Sequence, residues 1–200
     1  MKRILHLTSS IQGPTSYSIR LGNALIEKLV ARYPGSTVTV VDLVEKNLPH
    51  MSPALLQAVF TPADARGAEA NALLRDSDEA VAQLLDADIL VIGAPMYNFT
   101  IPSSLKAWLD HVTRAGITFG YTEAGPAGYV TGKKVYVAMA SGGVYSEGPA
   151  QGYDFAAPYL KAVLGFLGMT DVTVLRAEGV KLPGTKEGAL EKAVAGIGID

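Results

Sequence analysis

The stretch Ala94-Pro95-Met96-Tyr97-Asn98-Phe99 decides how the fold of this chain is interpreted. It follows a continuous apolar run, residues 89–92, and leads through Pro102 into a segment with helical spacing. A short apolar run bounded by glycine and proline is typical of a strand buried on both faces, and a first helical turn tolerates proline. The stretch is therefore predicted to join a parallel strand to a helix at the carboxyl edge of a sheet, where open α/β folds bind ligands.

The side chains of this stretch are unusual for a turn, because they combine a sulfur, two aromatic rings and an amide without any charge. Such a mixture suits a flat, largely apolar ligand that carries a few polar atoms. The alternative is a hydrophobic loop that packs against its own domain.

Composition excludes several classes of protein. The 200 residues suit a single domain, residues 1–200, and the net charge of −2 argues against nucleic acid or an anionic membrane as a partner. The chain contains no cysteine, which excludes disulfides and thiolate metal sites, and no metal site is expected. No apolar run approaches the roughly 20 residues of a membrane span, and the N-terminal run is too short for a signal peptide. The expectation is a cytoplasmic protein.

Five apolar runs alternate with helical patterns along the chain. They are residues 4–7, 38–41, 89–92, 135–139 and 172–175. This alternation predicts an α/β fold, a flavodoxin-like doubly wound five-stranded parallel sheet with strand order 2-1-3-4-5 and helices on both faces. Residues 43–68 are expected to form a long irregular connection and residues 115–132 a turn-rich excursion. Lys106, Asp110, His111 and Arg114 are expected to form a solvated helix face.

A hydroxyl-rich loop, residues 8–18, follows the first predicted strand and precedes a helix, and the first acidic residue of the chain is Glu27. A helix N-terminus offers unpaired N–H groups and a partial positive charge, and serine hydroxyls can donate to phosphate oxygens. The loop is therefore predicted to hold a phosphate. The alternative is that Ser16 merely caps the helix. No Gly-x-Gly-x-x-Gly follows the strand, which argues against a dinucleotide-binding Rossmann site.

Three loops are expected to meet at one crevice. The hydroxyl-rich loop, residues 96–99 and residues 140–143 follow the first, third and fourth predicted strands, which are neighbours in the flavodoxin-like order. One loop suits a phosphate, and the other two offer apolar contact and backbone amides, with Gly142 and Gly143 allowing close approach. Flavin mononucleotide (FMN) has this polarity.

Four motifs carry a family resemblance. They are Met96-Tyr97-Asn98-Phe99, Arg114-Ala115-Gly116-Ile117-Thr118-Phe119, residues 164–172 and Arg176-Ala177-Glu178-Gly179. The chain resembles, over nearly its whole length, the family of FMN-dependent NADH azoreductases and NAD(P)H:quinone oxidoreductases. The resemblance implies a homodimer that reduces small aromatic acceptors, quinones and azo compounds. NADH or NADPH would supply the electrons through bound FMN in a ping-pong cycle of hydride transfers.

The resemblance also implies which residues form the site. Phosphate and ribityl contacts fall on Ser10, Ser16, Tyr17 and Ser18. Flavin-ring contacts fall on Met96, Tyr97, Asn98 and Phe99 and, at the pyrimidine edge, on Ala140, Ser141, Gly142 and Gly143. The substrate pocket falls on Asn98, Phe119, Tyr129 and Phe166, with Phe166 reaching it from the second subunit. Many relatives have arginine where this chain has Ser141, which removes a cation. No catalytic side chain is required, because the flavin carries the chemistry.

Two other functions are alternatives. A non-catalytic electron carrier like flavodoxin would have a strongly acidic docking face, whereas this chain is nearly neutral. A flavin-free receiver-type signalling domain would need an aspartate cluster at the ends of the first and third strands, where Ser9 and Pro95 stand.

Overall fold

The computed structural model describes residues 1–199, and its core is a five-stranded parallel sheet. The strands of the described residues are β1 (Arg3–Thr8), β2 (Thr37–Asp42), β3 (Ile89–Pro95), β4 (Phe119–Thr122), β5 (Gly125–Gly128), β6 (Lys134–Ala140) and β7 (Asp171–Ala177). The parallel sheet has the order β2-β1-β3-β6-β7. All five apolar runs are confirmed as strands of this sheet. The predicted order 2-1-3-4-5 is confirmed as well, because β6 and β7 are its fourth and fifth strands.

Helices cover both faces of the sheet, as predicted. They are α1 (Tyr17–Arg32), α2 (Leu43–Lys46), α3 (Pro53–Phe60), α4 (Ala68–Asp86), α5 (Ser103–Val112), α6 (Ala156–Phe166) and α7 (Ala189–Ala195). Side chains of α1 and α7 pack on one face, and side chains of α4, α5 and α6 pack on the other. Within residues 1–199, no helix combines the length and apolar character needed to cross a membrane.

The alternation of side chains along the central strands produces two separate cores. Leu90 of β3 belongs to the core that contains Trp108 of α5, whereas Val91 belongs to the core that contains Leu25 of α1. Every residue of β3 is buried, because helices cover the sheet on both sides. A strand buried in this way has a continuous apolar sequence, which explains why β3 was predictable.

Two glycines allow helix α1 to lie close to the sheet. A Cβ atom on Gly93 of β3 would lie 3.6 Å from the Ser18 carbonyl oxygen of α1, and one on Gly22 of α1 would lie 2.6 Å from Nε2 of His6. At the carboxyl edge, the Ser9 hydroxyl donates to the Gly93 carbonyl at 2.7 Å and ties the loop after β1 to β3. The beginning of α1 is therefore held at the edge where the predicted loops meet.

Two segments contain more regular structure than the sequence indicated. The prediction that residues 43–68 are irregular is wrong, because α2 and α3 lie within them. Ser52 caps α3 by accepting from the Leu55 N–H at 3.1 Å, and Pro53 occupies its first turn. Residues 115–132 contain the antiparallel hairpin of β4 and β5. Pro53, which lies in the segment expected to be irregular, is in fact part of a helix start.

The predicted solvated helix face is wrong for His111 and Arg114, each of which is only 1% exposed. Arg114 Nη1 donates to the Ser77 hydroxyl at 2.7 Å and to Asp78 Oδ1 at 2.9 Å. The Ser77 hydroxyl in turn donates to the His111 carbonyl at 2.7 Å. These residues form a buried polar group between α4 and the end of α5, which is called the arginine group below.

Candidate functional site

A cavity of about 90 Å³ opens where the loops after β1, β3 and β6 meet, and it is called the central cavity below. Its lining residues are Gln12, Ser16, Tyr17, Pro95, Met96, Tyr97, Ala140, Ser141, Gly142, Val180 and Lys181. The structure therefore brings together residues from all three loops predicted to form the site. It adds a fourth segment, because the Val180 N–H donates to the Ser141 carbonyl and the Lys181 N–H to the Gly142 carbonyl.

Tyr97 also lines two larger hollows beside the central cavity. One, of about 590 Å³, includes Asn98, Lys106 and Tyr159, and the other, of about 330 Å³, includes His50. Small-molecule sites usually enclose at least about 300 Å³. A ligand the size of a mononucleotide would therefore extend from the central cavity into an adjoining hollow.

The serines at the start of α1 do not cap the helix. Ser16 occupies the N-cap position, but among residues 1–199 its hydroxyl makes no capping hydrogen bond and instead lies 3.0 Å from the Ser18 hydroxyl. The Ser10 hydroxyl lies 3.2 Å from the hydroxyl of Tyr97. The N–H groups of the first helical turn remain available, and this turn contains no acidic residue. An anion is favoured at this position.

Residues 97–100 form a tight turn with a strained backbone. Tyr97 and Thr100 exchange backbone hydrogen bonds of 2.9 and 3.1 Å across the turn. Asn98 and Phe99 both have positive φ angles, 48° and 71°. Turns with two central left-handed residues usually contain Asn-Gly, so phenylalanine at the second position is costly, of the order of 1 kcal/mol. Strain of this kind is typical of residues held in place at a functional site.

The turn at residues 140–143 is fixed to its neighbours by hydrogen bonds. The Met96 N–H donates to the Ala140 carbonyl at 2.8 Å, and the Ser141 N–H donates to the Ala177 carbonyl at 3.1 Å. The Ser141 hydroxyl donates to the Gly143 carbonyl at 2.8 Å, which argues against a role as a nucleophile.

Four backbone N–H groups beside the central cavity have no acceptor within the described chain. They belong to Asn98, Phe99, Gly142 and Gly143. Both turns contribute lining residues to the central cavity, and their open donors suit a ring that carries carbonyl and ring-nitrogen acceptors.

Five of the predicted cofactor contacts do not line the central cavity, namely Ser10, Ser18, Asn98, Phe99 and Gly143. The Phe99 ring packs against Tyr153 and Tyr145, with centroids 5.2 and 6.2 Å apart. Ser18 is fully buried beneath Ser16. Gly143 lies against the Tyr145 ring, since an added Cβ would be 3.2 Å from it.

Ion pairs and hydrogen bonds hold the loop beside the site. Glu178 accepts from the backbone N–H groups of Tyr145 and Ser146 at 2.9 and 3.0 Å. Arg176 pairs with Asp154 at 2.5 Å. The loop that carries Tyr145 is therefore attached to the end of β7, next to the strand that supplies Gly142.

The 590 Å³ hollow contains two titratable groups whose charges can be assigned. Hydrogen bonding to Asp110 at 2.5 Å raises the pKa of Lys106, so its ammonium is charged and paired at neutral pH. Burial raises the pKa of Tyr159, so its phenol is neutral there. The hollow thus offers a hydroxyl and a mostly apolar wall.

The four predicted substrate-pocket residues fall into two groups. The rings of Phe119 and Phe166 have centroids 4.6 Å apart, and Tyr129 joins the same hairpin through its N–H, which donates to the Thr118 carbonyl. Asn98 precedes the start of α5, whereas these aromatic residues follow its end. The ten residues of α5 span about 15 Å. Within one chain, Asn98 is therefore separated from the rings of Phe119 and Phe166 by the length of α5.

The sequence interpretation missed Lys181 and the aromatic residues Tyr145 and Tyr153. A signal for Lys181 was present, because β7 neighbours β6 in the predicted order and the residues after β7 must reach the same edge of the sheet. No comparable signal existed for the two tyrosines, since their loop has no periodic pattern.

The family model described as flavodoxin-like fold matches residues 2–198. The chain belongs to this family. An FMN-dependent NADH:quinone oxidoreductase from Herminiimonas arsenicoxydans is 52% identical over 182 residues, which cover 91% of this chain and 89% of the relative. FMN-dependent NADH:quinone oxidoreductase 1 from Rhizobium etli is 52% identical over 180 residues, 90% of this chain and 88% of the relative.

Solved structures of family members have the same fold. The azoreductase from Bacillus anthracis strain Sterne superposes with a TM-score of 0.87 at 30% identity and covers 98% of both chains. An FMN-dependent NADH-azoreductase from Bacillus anthracis strain Ames Ancestor, solved in complex with FMN, has a TM-score of 0.85 at 26% identity, with 96% of this chain and 94% of that chain covered. The predicted resemblance to azoreductases and quinone oxidoreductases is confirmed.

Proposed function

We propose that this protein is an FMN-dependent NADH oxidoreductase that reduces quinones and azo compounds. The observation that supports it most directly is the convergence of Ser16, Tyr97 and Gly142 on one cavity. A single ligand with a phosphate at one end and a flat ring at the other can contact all three loops. The names of the relatives supply the cofactor, the electron donor and the acceptor class.

The residues present fit FMN. The start of α1 would hold the phosphate, because the hydroxyls of Ser10 and Ser16 and the first-turn N–H groups could donate to it. A helix N-terminus contributes about 0.3–1 kcal/mol toward an anion, whereas micromolar affinity requires about 8 kcal/mol. Contacts between the ring and residues 96–99 and 140–143 therefore supply most of the affinity.

The protein binds and orients, and the cofactor carries the chemistry. When bound, FMN supplies two-electron hydride chemistry between the nicotinamide and the acceptor. The open N–H groups of Asn98, Phe99, Gly142 and Gly143 would stabilise negative charge on the ring of bound FMN, as donors of an oxyanion hole do. The donor and the acceptor occupy one site in turn, which produces ping-pong kinetics. No side chain of the central cavity acts as a catalytic acid or base.

We also propose that the active form is a homodimer. Asn98 and the pair Phe119–Phe166 lie at opposite ends of α5 in one chain, so a pocket that includes both groups requires a second copy. Mixing S16A/S18A protein with F166A protein tests this. Mixed dimers contain one pocket with intact cofactor and aromatic residues, so the mixture is expected to recover activity that neither variant has alone.

The function is tested with protein freed of cofactor and then titrated with FMN and riboflavin, followed by flavin fluorescence. Anaerobic mixing of the loaded protein with NADH or NADPH is expected to bleach the blue absorbance band. Steady-state assays with a naphthoquinone, a benzoquinone and an azo dye are expected to give parallel double-reciprocal lines. A band that remains unchanged contradicts the proposal. A band that bleaches without turnover of any acceptor identifies an electron carrier instead.

A further inference from the structure

Lys181 is the one residue with a charge at neutral pH among the described residues that line the central cavity. Within residues 1–199, no salt bridge joins its ammonium to a carboxylate, whereas Lys106 and Lys134 are both paired. The side chain is exposed to solvent at the cavity mouth. It is therefore a free cation next to a site that is otherwise lined by hydroxyl, amide, apolar and backbone groups.

A backbone hydrogen bond fixes the position of Lys181 next to Gly142. The Lys181 N–H donates to the Gly142 carbonyl at 3.1 Å. The aliphatic part of the side chain lies across Gly142, since a Cβ on that glycine would be 3.2 Å from Lys181 Cδ. Lysine commonly buries its stem along apolar surface and leaves its ammonium at a polar edge. We therefore expect the Lys181 ammonium to lie on the side of the central cavity that Gly142 forms.

The segment that carries Lys181 and the loop after β1 follow strands at different positions in the sheet, although Lys181 and Ser16 both line the central cavity. Lys181 follows β7, and β7 is separated from β1 by β3 and β6 in the sheet. Three strand spacings amount to about 14 Å. The turn after β6, by contrast, is hydrogen-bonded directly to Lys181. These positions place the cation closer to the two open donors of Gly142 and Gly143 than to the loop that carries Ser10.

We propose that Lys181 contacts the pyrimidine edge of bound FMN and favours the reduced cofactor over the oxidised one. The inference rests on the proposed function, because it assigns a role in the same site. Hydride uptake adds two electrons and one proton to a neutral ring, which therefore gains one negative charge. A cation beside the ring stabilises that charge, and the neutral oxidised ring gains much less.

The test compares wild type with K181M, K181R and K186M, each loaded with FMN. Methionine keeps the stem that packs on Gly142 and removes the charge, whereas arginine keeps the charge. Lys186 lies in the same surface segment but does not line the central cavity, so K186M is the matched control. The two-electron potential of the bound flavin is measured by equilibration with a redox dye, and dissociation constants are measured for FMN and riboflavin.

K181M is expected to lower the affinity for reduced FMN about tenfold relative to oxidised FMN. Tenfold corresponds to about 30 mV for a two-electron couple, so the potential of K181M is expected to be lower by this amount. K181R is expected to retain most of the wild-type potential and K186M all of it. The difference between wild type and K181M is expected to shrink at high salt, because the cation is exposed.

Two results overturn the inference while leaving the proposed function intact. One is an unchanged potential in K181M. The other is a loss of affinity for FMN but not for riboflavin without a change in potential, which assigns the cation to the phosphate. If the wild-type protein binds neither FMN nor riboflavin, the proposed function fails and the inference fails with it.

Discussion

Two polar groups of this molecule both contain buried serines but differ in charge and in hydrogen bonding. Ser10, Ser16 and Ser18 at the start of α1, called the serine group below, bond to one another or to Tyr97 and contain no charge. The arginine group bonds a buried cation to Ser77 and Asp78, and Ser77 to the His111 carbonyl.

The difference between the two groups indicates which one serves a ligand. Protein acceptors satisfy Arg114 Nη1 in the arginine group, whereas at the serine group the first-turn N–H groups of α1 remain available. Arg114 Nη2 and His111 Nδ1 are buried without a partner among the described residues, but the bonds of Arg114 Nη1 join the end of α5 to α4 and stabilise the fold. A cluster with open donors at a helix N-terminus is expected to contribute to ligand binding instead. Two substitutions test this division directly, and a pH series on His6 and a pair of variants at Phe99 compare a further buried polar side chain and the strained turn beside the site.

The largest effect is expected from Arg114→Met. Removing a buried, hydrogen-bonded cation from an ion pair typically costs about 3 kcal/mol or more. The free energy of unfolding, measured in urea, is expected to fall by this amount, and FMN affinity of the folded variant is expected to stay within about twofold of wild type. The matched variant D78N leaves the buried guanidinium without its carboxylate partner, so it is also expected to lower the free energy of unfolding without lowering FMN affinity. A strong loss of FMN affinity in R114M would contradict the division.

A second test uses His6, a buried side chain that has no hydrogen-bond partner for Nε2 in the described chain and lies against Gly22. Burial lowers the pKa of His6 from 6.5 to about 4. As the pH falls through 6.5, the unfolded chain binds the proton before the folded one, so stability decreases until the pH reaches about 4. The loss approaches about 3 kcal/mol.

The free energy of unfolding of wild type and of H6L is measured in urea near neutral pH and near pH 4, which is about the pKa of buried His6. H6L removes the titrating group and keeps an apolar side chain against Gly22, so it is expected to lose less stability on acidification. An equal loss in the two proteins would show that other groups cause the acid sensitivity.

The third prediction concerns the serine group itself. The double variant S16A/S18A is expected to bind FMN about tenfold to a hundredfold more weakly, because hydroxyl donors to a charged oxygen are lost. Riboflavin, which has no phosphate, is expected to bind almost as well as to wild type. The free energy of unfolding of the cofactor-free protein is expected to change by less than about 1 kcal/mol, and T15A serves as the control in the same loop. If the double variant loses affinity for riboflavin and FMN equally, the phosphate does not bind at the serine group.

The smallest effect is expected at the strained turn. Phe99→Gly and Phe99→Ala both remove the ring that packs on Tyr145 and Tyr153, but only glycine adopts the φ of 71° without cost. F99G is therefore expected to be more stable than F99A by about 1 kcal/mol in urea unfolding. Equal stability of the two variants would mean that the turn relaxes when the ring is removed.

Much of this fold was predictable because local sequence and tertiary environment agree. β3 is buried on both faces, so its residues had to be apolar throughout, and the same holds for most of β6. The doubly wound order then places the loops after β1, β3 and β6 at one edge of the sheet. For this reason the central cavity and its serine, aromatic and glycine residues could be predicted without coordinates.

The tertiary structure alone decided the features that depend on contacts between distant segments. Arg114 is a polar residue in sequence, and only its approach to Ser77 and Asp78 of α4 makes it a buried one. Lys181 became part of the site because the chain after β7 pairs with the turn at Gly142. A periodic pattern reports which face of an element is buried, but it does not report which residues of another element meet that face.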